Sequence, residues 1–425
     1  MTIESFQRAI INGLGRAVLW SKQRSPSVSH EAIEHACLHN TAYDPQCEGS
    51  RAQYVHDIIS PTDSVQHFAD VVVTGLLGVQ ESIWDTEHLF ELATLFALEG
   101  HSAAREAIYE KFRRDEAKVP FSGATSIIRL DRTEGLLFVL DHIGKQLVEN
   151  PDQWDPSLLH TAEEVAGVPV MPIVSKAAEQ NAHIRRYLDA FDKDRHEHDK
   201  RRGQTPHYWH FSYPELREKI ISARGGVPRG WLFGWGKHAA EPAVREAAAD
   251  LLLETDEPLL LAYLRIFEKR CFPLDHERLI ELARSANAEL RTAAIRALRH
   301  IQSPSVRALA VELIARGGAD GNVVALLHRN CEDGDHRLIE PLLQPQADED
   351  HFHQVAHAAV RLLDANPNLD ALPSLLRIYD DCRCSLCRKH AVKTLMKQNS
   401  APAWMLAECR FDSSPCIREL MSSVP

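Results

Sequence analysis

Apolar residues recur at three- and four-residue spacing along most of this chain. Clear examples are the segments 6–20, 65–77, 87–98 and 134–148. This spacing places apolar side chains on one face of a helix. The alternation typical of strands is almost absent, and only 121–130 could be extended. Ser-Pro and Asp-Pro pairs end many of the helical segments. The pattern predicts an all-α protein.

An arginine recurs near the start of the predicted helices, directly after an apolar or small residue. The pairs are Ala104-Arg105, Ile184-Arg185, Val244-Arg245, Leu290-Arg291, Val306-Arg307, Cys387-Arg388 and Ile417-Arg418. This arrangement resembles the second helix of a HEAT repeat, in the short form found in bilin-lyase-like repeats. The resemblance is clearest from residue 241 to the end. It implies an α-solenoid of antiparallel helix pairs, in which each repeat is buried only against its neighbours.

The resemblance also gives the repeated arginine a structural role. In HEAT-like repeats it commonly hydrogen-bonds an acidic or amide side chain in the preceding turn. Glu241 and Asn287, each four residues before an arginine, are the partners we expect. Helix pairs are predicted over 274–302, 304–330, 335–364, 369–398 and 401–422.

We therefore predict three segments. Residues 1–190 form irregular helical repeats, 191–240 form an insertion, and 241–425 form HEAT-like repeats.

The predicted insertion has an unusual composition. Eight basic and two acidic residues give 200–237 a charge of +6. The net charge of the whole chain is −12, so the residues outside this segment carry −18. Five glycines lie within twelve residues, which predicts an irregular loop over 225–238. Aromatic rings on such a loop either plug the core or form a recognition surface. The candidate binding residues are Trp209, Tyr213, Arg229, Trp231, Phe233, Trp235, Lys237 and His238.

Five of the nine cysteines lie in the last 45 residues. In the helix-pair interpretation Cys384, Cys387, Cys409 and Cys416 fall on one rim of the stack, where four thiolates suit one structural zinc. His390 is an alternative fourth ligand. The competing interpretation is a set of buried free thiols, because cysteine is a good small core residue.

The bulk charge narrows the class of partner. A net charge of −12 argues against nucleic-acid and anionic-membrane binding, and no apolar run is long enough to span a membrane. The first residues lack the pattern of a secretory signal, and the odd number of cysteines favours reduced thiols. We therefore expect a cytoplasmic location.

The sequence favours a non-enzymatic function. Nucleophile-elbow, Walker and His-Glu-x-x-His motifs are missing. We expect a scaffold or adaptor that binds a protein or peptide partner through its concave face and the 225–238 loop. Two alternatives stay open. One is a HEAT-like enzyme, similar to bilin lyases or DNA glycosylases, and the other is a neutralising partner of a basic toxin.

Overall fold

The computed structural model describes residues 2–25, 28–114, 121–151, 155, 157–202, 210–344 and 348–423. The described residues are mostly helical and contain no strand, which confirms the all-α prediction. Residues 121–130 are a turn followed by helix, so the extended alternative is wrong there. None of the described helices is long and apolar enough to cross a bilayer.

The described residues form 26 α-helices. In the first half of the chain they are α1 (Ile3–Asn12), α2 (Arg16–Lys22), α3 (His30–Leu38), α4 (Pro45–Glu48), α5 (Ala52–Ile59), α6 (Val65–Leu77), α7 (Ile83–Leu98), α8 (Ser102–Arg114), α9 (Ala124–Gln146), α10 (Leu158–Ala166), α11 (Met171–Gln180) and α12 (Ala182–Arg202). In the second half they are α13 (Tyr213–Ser222), α14 (Arg229–His238), α15 (Glu241–Leu253), α16 (Glu257–Ile266), α17 (Glu277–Leu282), α18 (Ala288–Leu298), α19 (Pro304–Ala315), α20 (Gly321–Leu326), α21 (His336–Ile339), α22 (Glu349–Ala365), α23 (Leu372–Asp381), α24 (Ser385–Lys397), α25 (Ala403–Cys409) and α26 (Pro415–Leu420).

The helices group into two compact units. The first unit comprises Met1–Gln204, Arg383–Leu386 and Pro402–Pro425, and the second comprises Thr205–Cys382 and Cys387–Ala401. Compactness in space defines these units, whereas the three predicted segments were defined by repeat pattern and composition. The three-segment division stays a prediction.

In the first unit, α7 packs against α5, α6 and α8, and α9 packs against α10 and α12. A buried arginine ties distant segments of this unit together. The Arg51 guanidinium donates to the carbonyl oxygens of Ile11 (2.5 Å) and Arg383 (3.1 Å) and to the Thr41 hydroxyl (3.2 Å). Its charge is balanced by Glu48, 3.6 Å away. The polar turn before α5 is therefore structural.

The second unit contains a row of helices in which α14, α16, α18, α20 and α22 each pack against the next. A partner helix precedes most of them, as α15 does for α16, α17 for α18 and α19 for α20. All five predicted helix pairs are present as two helices each. The periodic apolar pattern therefore predicted the elements of the C-terminal half correctly.

The repeated arginine has a structural role, but its predicted partners are wrong. Four of these arginines donate to the carbonyl oxygen six residues earlier, at or just after the end of the preceding helix. The pairs are Arg185 with Glu179, Arg291 with Ser285, Arg388 with Cys382 and Arg418 with Asp412. The physical reason is that carbonyl groups at a helix end lack intrahelical donors. The expected partners make other contacts, since Asn287 caps α18 and Glu241 forms an ion pair with Arg270.

Candidate functional site

The glycine- and tryptophan-rich segment is a helix over most of its length. Residues 223–228 are turn and bend, and α14 begins at Arg229, so the prediction of an irregular loop over 225–238 is wrong from that residue onward. Glycine disfavours an isolated helix by about 1 kcal/mol per residue. Tertiary packing overrides this preference, because Leu232 and Trp235 are buried. A Cβ on Gly236 would lie 2.0 Å from the Ile266 carbonyl oxygen, so the glycine permits close approach of α14 and α16.

Two of the predicted recognition aromatics belong to the core of the second unit. Trp235 is 0% exposed, and its indole Nε1 donates to the Phe211 carbonyl oxygen at 2.8 Å. Tyr213 is also buried, and its hydroxyl donates to the Asp250 carboxylate. Both side chains are held by internal partners. They therefore act as a structural wedge.

The remaining residues of that prediction lie in mixed environments. Trp231 and Phe233 are half-buried, with the Lys269 ammonium 4.3 Å from the Phe233 ring centroid. Arg229 forms an ion pair with the buried carboxylate of Glu268. The other three residues are Lys237 and His238, which are exposed, and Trp209, which lies outside the described residues.

None of the five C-terminal cysteines forms a disulfide, and four of them, Cys382, Cys384, Cys387 and Cys409, are buried. Among the described residues, one group has metal-ligating atoms all within 4.8 Å of one another, namely His353, Cys382 and Cys387. The Cys387 sulfur lies 3.5 Å from His353 Nδ1.

Of the four predicted zinc ligands, only Cys387 belongs to this group. Cys384, Cys409, Cys416 and the alternative His390 are not members. Sequence reasoning missed His353 because it lies 34 residues before Cys387, and the placement of α22 beside the later cysteines is a tertiary feature.

A cavity of about 520 Å³ opens along the row of helices in the second unit. We name it the arginine–histidine pocket after the side chains that give it its character. Its lining residues come from α18, from α20 and the short helix after it, and from α22. They are Arg296, Arg299, His300, Gly321, Asn322, Ala325, His328, Arg329, His353, Gln354, His357, Ala358 and Arg361.

The arginine–histidine pocket carries concentrated positive charge. Four arginines and four histidines line it, without an acidic residue among the lining side chains. Within the described parts of the chain, no carboxylate is within ion-pair distance of Arg296, Arg299, Arg329 or Arg361. This contrasts with other arginines of the same unit, such as Arg284, whose guanidinium lies 2.7 Å from Glu312.

Hydrogen bonds to neutral groups fix the inner wall of the pocket. Arg299 donates to the Glu268 backbone carbonyl at 2.6 Å, and His300 Nε2 lies 2.9 Å from the same oxygen. Arg296 donates to the Asn322 side-chain oxygen at 3.1 Å. The nearby Glu268 carboxylate is already paired with Arg229. These side chains are therefore held in place without an acid of their own.

Burial and neighbouring charges also change the pKa values of three side chains that line the pocket. Burial, followed by the nearby arginines, lowers the pKa of His300 and of His328. Burial likewise lowers the pKa of the Arg299 guanidinium, attraction to Glu268 opposes this effect, and repulsion from Arg296 and Arg361 adds to it. A bound anion would oppose these shifts, because it stabilises the protonated form of each group.

A second cavity, of about 640 Å³, lies between α13 and α15. Its one arginine, Arg217, is 2.7 Å from the Asp250 carboxylate. Asp250 also accepts the Tyr213 hydroxyl. The one arginine of this cavity is therefore already paired, and the cavity offers less to an anionic ligand than the arginine–histidine pocket does.

A usable signal for the pocket was present in the sequence. Basic residues recur at helical spacing at the second helices of two of the predicted pairs, as Arg296 with Arg299 and His357 with Arg361. Residues three or four apart share one helix face. Local net charge does not reveal this pattern, because basic and acidic residues are mixed in this part of the chain.

Comparisons with known proteins do not place the chain in a family. No protein-family model matches it, and no curated protein matches it significantly. Among solved structures, an engineered protein crystallised by the Northeast Structural Genomics Consortium aligns with 92% of this chain and 95% of its own. The sequence identity is 14% and the TM-score is 0.23. Similarity at this level identifies neither a fold nor a function.

Proposed function

We propose that this protein is a non-enzymatic binding protein whose second unit captures an acidic segment of a partner protein in the arginine–histidine pocket. The observation that carries the proposal is a set of four arginines without an acidic partner, in a chain whose net charge is −12. The guanidinium group presents donors in a planar fork that matches a carboxylate. An acidic peptide segment supplies several carboxylates at once.

The energetics favour a ligand over a purely structural role. Like charges placed close together repel one another, and repulsion from Arg296 and Arg361 adds to the main effect of burial in lowering the pKa of Arg299, against the attraction of Glu268. The same unit neutralises other arginines internally, as in the 2.6 Å contact between Arg307 and Asp335. A cluster in which no described carboxylate forms an ion pair is therefore only partly compensated in the free protein. An anionic partner would compensate it.

The position of the pocket agrees with the predicted scaffold role. Its side chains come from α18 and the two residues after it, from α20 and the short helix after it, and from α22. HEAT-repeat proteins, which the sequence resembles, commonly bind other proteins on a concave surface. The segment 225–238 has no part in this proposal, because Trp235 is buried and Arg229 is already paired.

The pocket suits a protein partner better than a nucleic acid. Nucleic-acid binding rests on many phosphate contacts along a tract, whereas these four arginines surround one cavity of about 520 Å³. The acidic remainder of the chain would repel a polyphosphate backbone. An acidic segment that enters the pocket avoids most of that repulsion.

A binding titration tests the proposal. A fluorescein-labelled oligoaspartate peptide is titrated with the protein, and anisotropy is measured. In the variant Arg329→Ala/Arg361→Ala, affinity should fall by about tenfold or more, since a charge-assisted hydrogen bond contributes about 1.5–3 kcal/mol. The matched control Arg337→Ala/Lys393→Ala removes the same charge from exposed positions of the second unit outside the pocket, and should bind nearly as well as the wild type.

Salt and pH give further readouts. Affinity should fall with ionic strength and rise as the pH drops below the ordinary histidine pKa of about 6.5, because the lowered pKa values of His300 and His328 rise when an anion binds. Equal affinity of the pocket variant and the control would refute the proposal. Tighter binding of a labelled single-stranded oligonucleotide than of the peptide would reassign the partner class.

A further inference from the structure

We propose that His353, Cys382 and Cys387 bind one Zn²⁺ ion through two thiolates and one imidazole nitrogen. This inference goes beyond the proposed binding function and does not depend on it. Their ligating atoms all lie within 4.8 Å of one another in the second unit. Cysteine sulfur and histidine nitrogen are the ligands that zinc prefers in proteins.

The distances suit tetrahedral coordination. Zinc lies about 2.3 Å from a thiolate sulfur and about 2.0–2.1 Å from an imidazole nitrogen. A tetrahedral angle then places sulfur and nitrogen about 3.6 Å apart, and two sulfurs about 3.8 Å apart. The observed separation of Cys387 Sγ and His353 Nδ1 is 3.5 Å. The upper bound of 4.8 Å for the group requires side-chain adjustments of about 1 Å at most.

Helices hold the three ligands. His353 lies in the second turn of α22, Cys382 is the C-cap residue of α23, and Cys387 lies in the first turn of α24. The backbone carbonyl of Cys382 accepts a hydrogen bond from the Arg388 guanidinium, which is 0% exposed. Ligands on packed helices are better preorganised than ligands on loops.

Charge balance favours the ion in this environment. Both cysteines are buried, at 1% exposed for Cys382 and 2% for Cys387. Two thiolates and one Zn²⁺ are together neutral, so the complex avoids the large desolvation penalty of a lone buried charge. Because the ligands must lose their protons, zinc binding should release protons and weaken at low pH.

His353 joins the metal group to the arginine–histidine pocket, because it also lines that cavity. Coordination through Nδ1 fixes the proton on Nε2, which makes the second nitrogen a hydrogen-bond donor. Three protein ligands leave one tetrahedral position for water or another small ligand. Zinc would thus order one side of the pocket as well as the turn between α23 and α24.

Cobalt spectroscopy on the wild-type chain tests this site without any variant. Protein purified without a metal-affinity step is stripped with a chelator and titrated with Co²⁺. One Co²⁺ should bind per chain, with tetrahedral d–d bands and a thiolate charge-transfer band whose intensity fits two sulfurs. Zn²⁺ should displace the cobalt. A spectrum that fits four thiolates, or an absence of charge-transfer absorption, overturns the proposal.

Single substitutions then assign the ligands. Cys382→Ser, Cys387→Ser and His353→Gln should each reduce bound zinc from about one per chain to less than about 0.2, with helical circular dichroism retained. Cys384→Ser and Cys409→Ser are matched controls, since both residues are buried cysteines outside the group, and they should retain the metal.

Loss of zinc in the two controls, with retention in His353→Gln, would assign the metal to the four-cysteine set instead. A Cys382–Cys387 disulfide in freshly purified protein, detected by thiol titration, would also refute the site.

Discussion

Two glycines of α14 should respond to alanine in opposite directions. Alanine is the better helix former by about 1 kcal/mol, so propensity alone predicts that Gly230→Ala and Gly236→Ala both stabilise the protein. The surroundings of the two glycines predict opposite effects of alanine on stability. A Cβ built on Gly230 meets no atom within 4 Å, whereas one on Gly236 lies 2.0 Å from the Ile266 carbonyl oxygen and 2.9 Å from its carbonyl carbon.

The size of the effect follows from the clash. Ordinary van der Waals contact begins at about 3.4 Å, so α14 must move away from α16 by more than 1 Å to accommodate the methyl group. Overpacking of a well-packed core costs about 1–3 kcal/mol. The obstacle is backbone, which cannot rotate away as a side chain can. Gly236→Ala should therefore destabilise by about 2 kcal/mol, while Gly230→Ala, near the helix start, should stabilise by up to about 1 kcal/mol.

Urea unfolding measures both variants against the wild type. Circular dichroism follows the helices, and fluorescence follows the seven tryptophans, of which Trp231 and Trp235 lie in α14. A shift of the two midpoints in opposite directions, at an unchanged slope, is the expected result. If Gly236→Ala were as stable as Gly230→Ala, α14 and α16 would not be in the close contact described, and the glycine-rich segment would not be a packed helix.

Three further substitutions probe the core, a buried histidine and the repeated arginine. Trp235→Ala should lower the free energy of unfolding by about 3–5 kcal/mol. Trp235→Phe should lower it by about 1 kcal/mol, because the Phe211 carbonyl loses its hydrogen-bond donor. Near-normal melting temperatures in both variants would return the ring to a recognition role. Burial lowers the pKa of His88 to about 4 from 6.5, so as the pH falls below 6.5 the unfolded chain takes up the proton first. About 3 kcal/mol of stability is fully present above pH 6.5 and should be lost as the pH falls to 4. His88→Gln should flatten this part of the stability–pH curve. An unchanged curve in that variant would contradict the assignment. Arg291→Ala should lower the free energy of unfolding by about 1 kcal/mol. Arg245→Ala removes no hydrogen bond to a described residue and should leave the stability nearly unchanged. Equal effects of the two variants in thermal unfolding would refute the carbonyl-binding role.

The local pattern of apolar residues determined the secondary structure of this protein. All five predicted C-terminal helix pairs are present, because a helix depends mainly on which face of a short segment is apolar. The repeated arginine was correctly predicted to be structural, since its distance from the preceding turn is fixed along the chain. Its acceptors were predicted wrongly. Backbone carbonyls carry no sequence signal, so the six-residue offset is visible only in three dimensions.

Tertiary packing decided the rest. Five glycines in twelve residues predicted a loop over 225–238, yet contact with α16 and the burial of Trp235 make it a helix from Arg229 onward, because packing energy exceeds a propensity of about 1 kcal/mol per glycine. The composition of the chain predicted cysteine and arginine chemistry but not which residues meet. His353 joins Cys387, and Arg299 faces Arg361, because helices far apart in sequence pack side by side. Such juxtapositions depend on many weak contacts summed over the unit, which no single segment of sequence records.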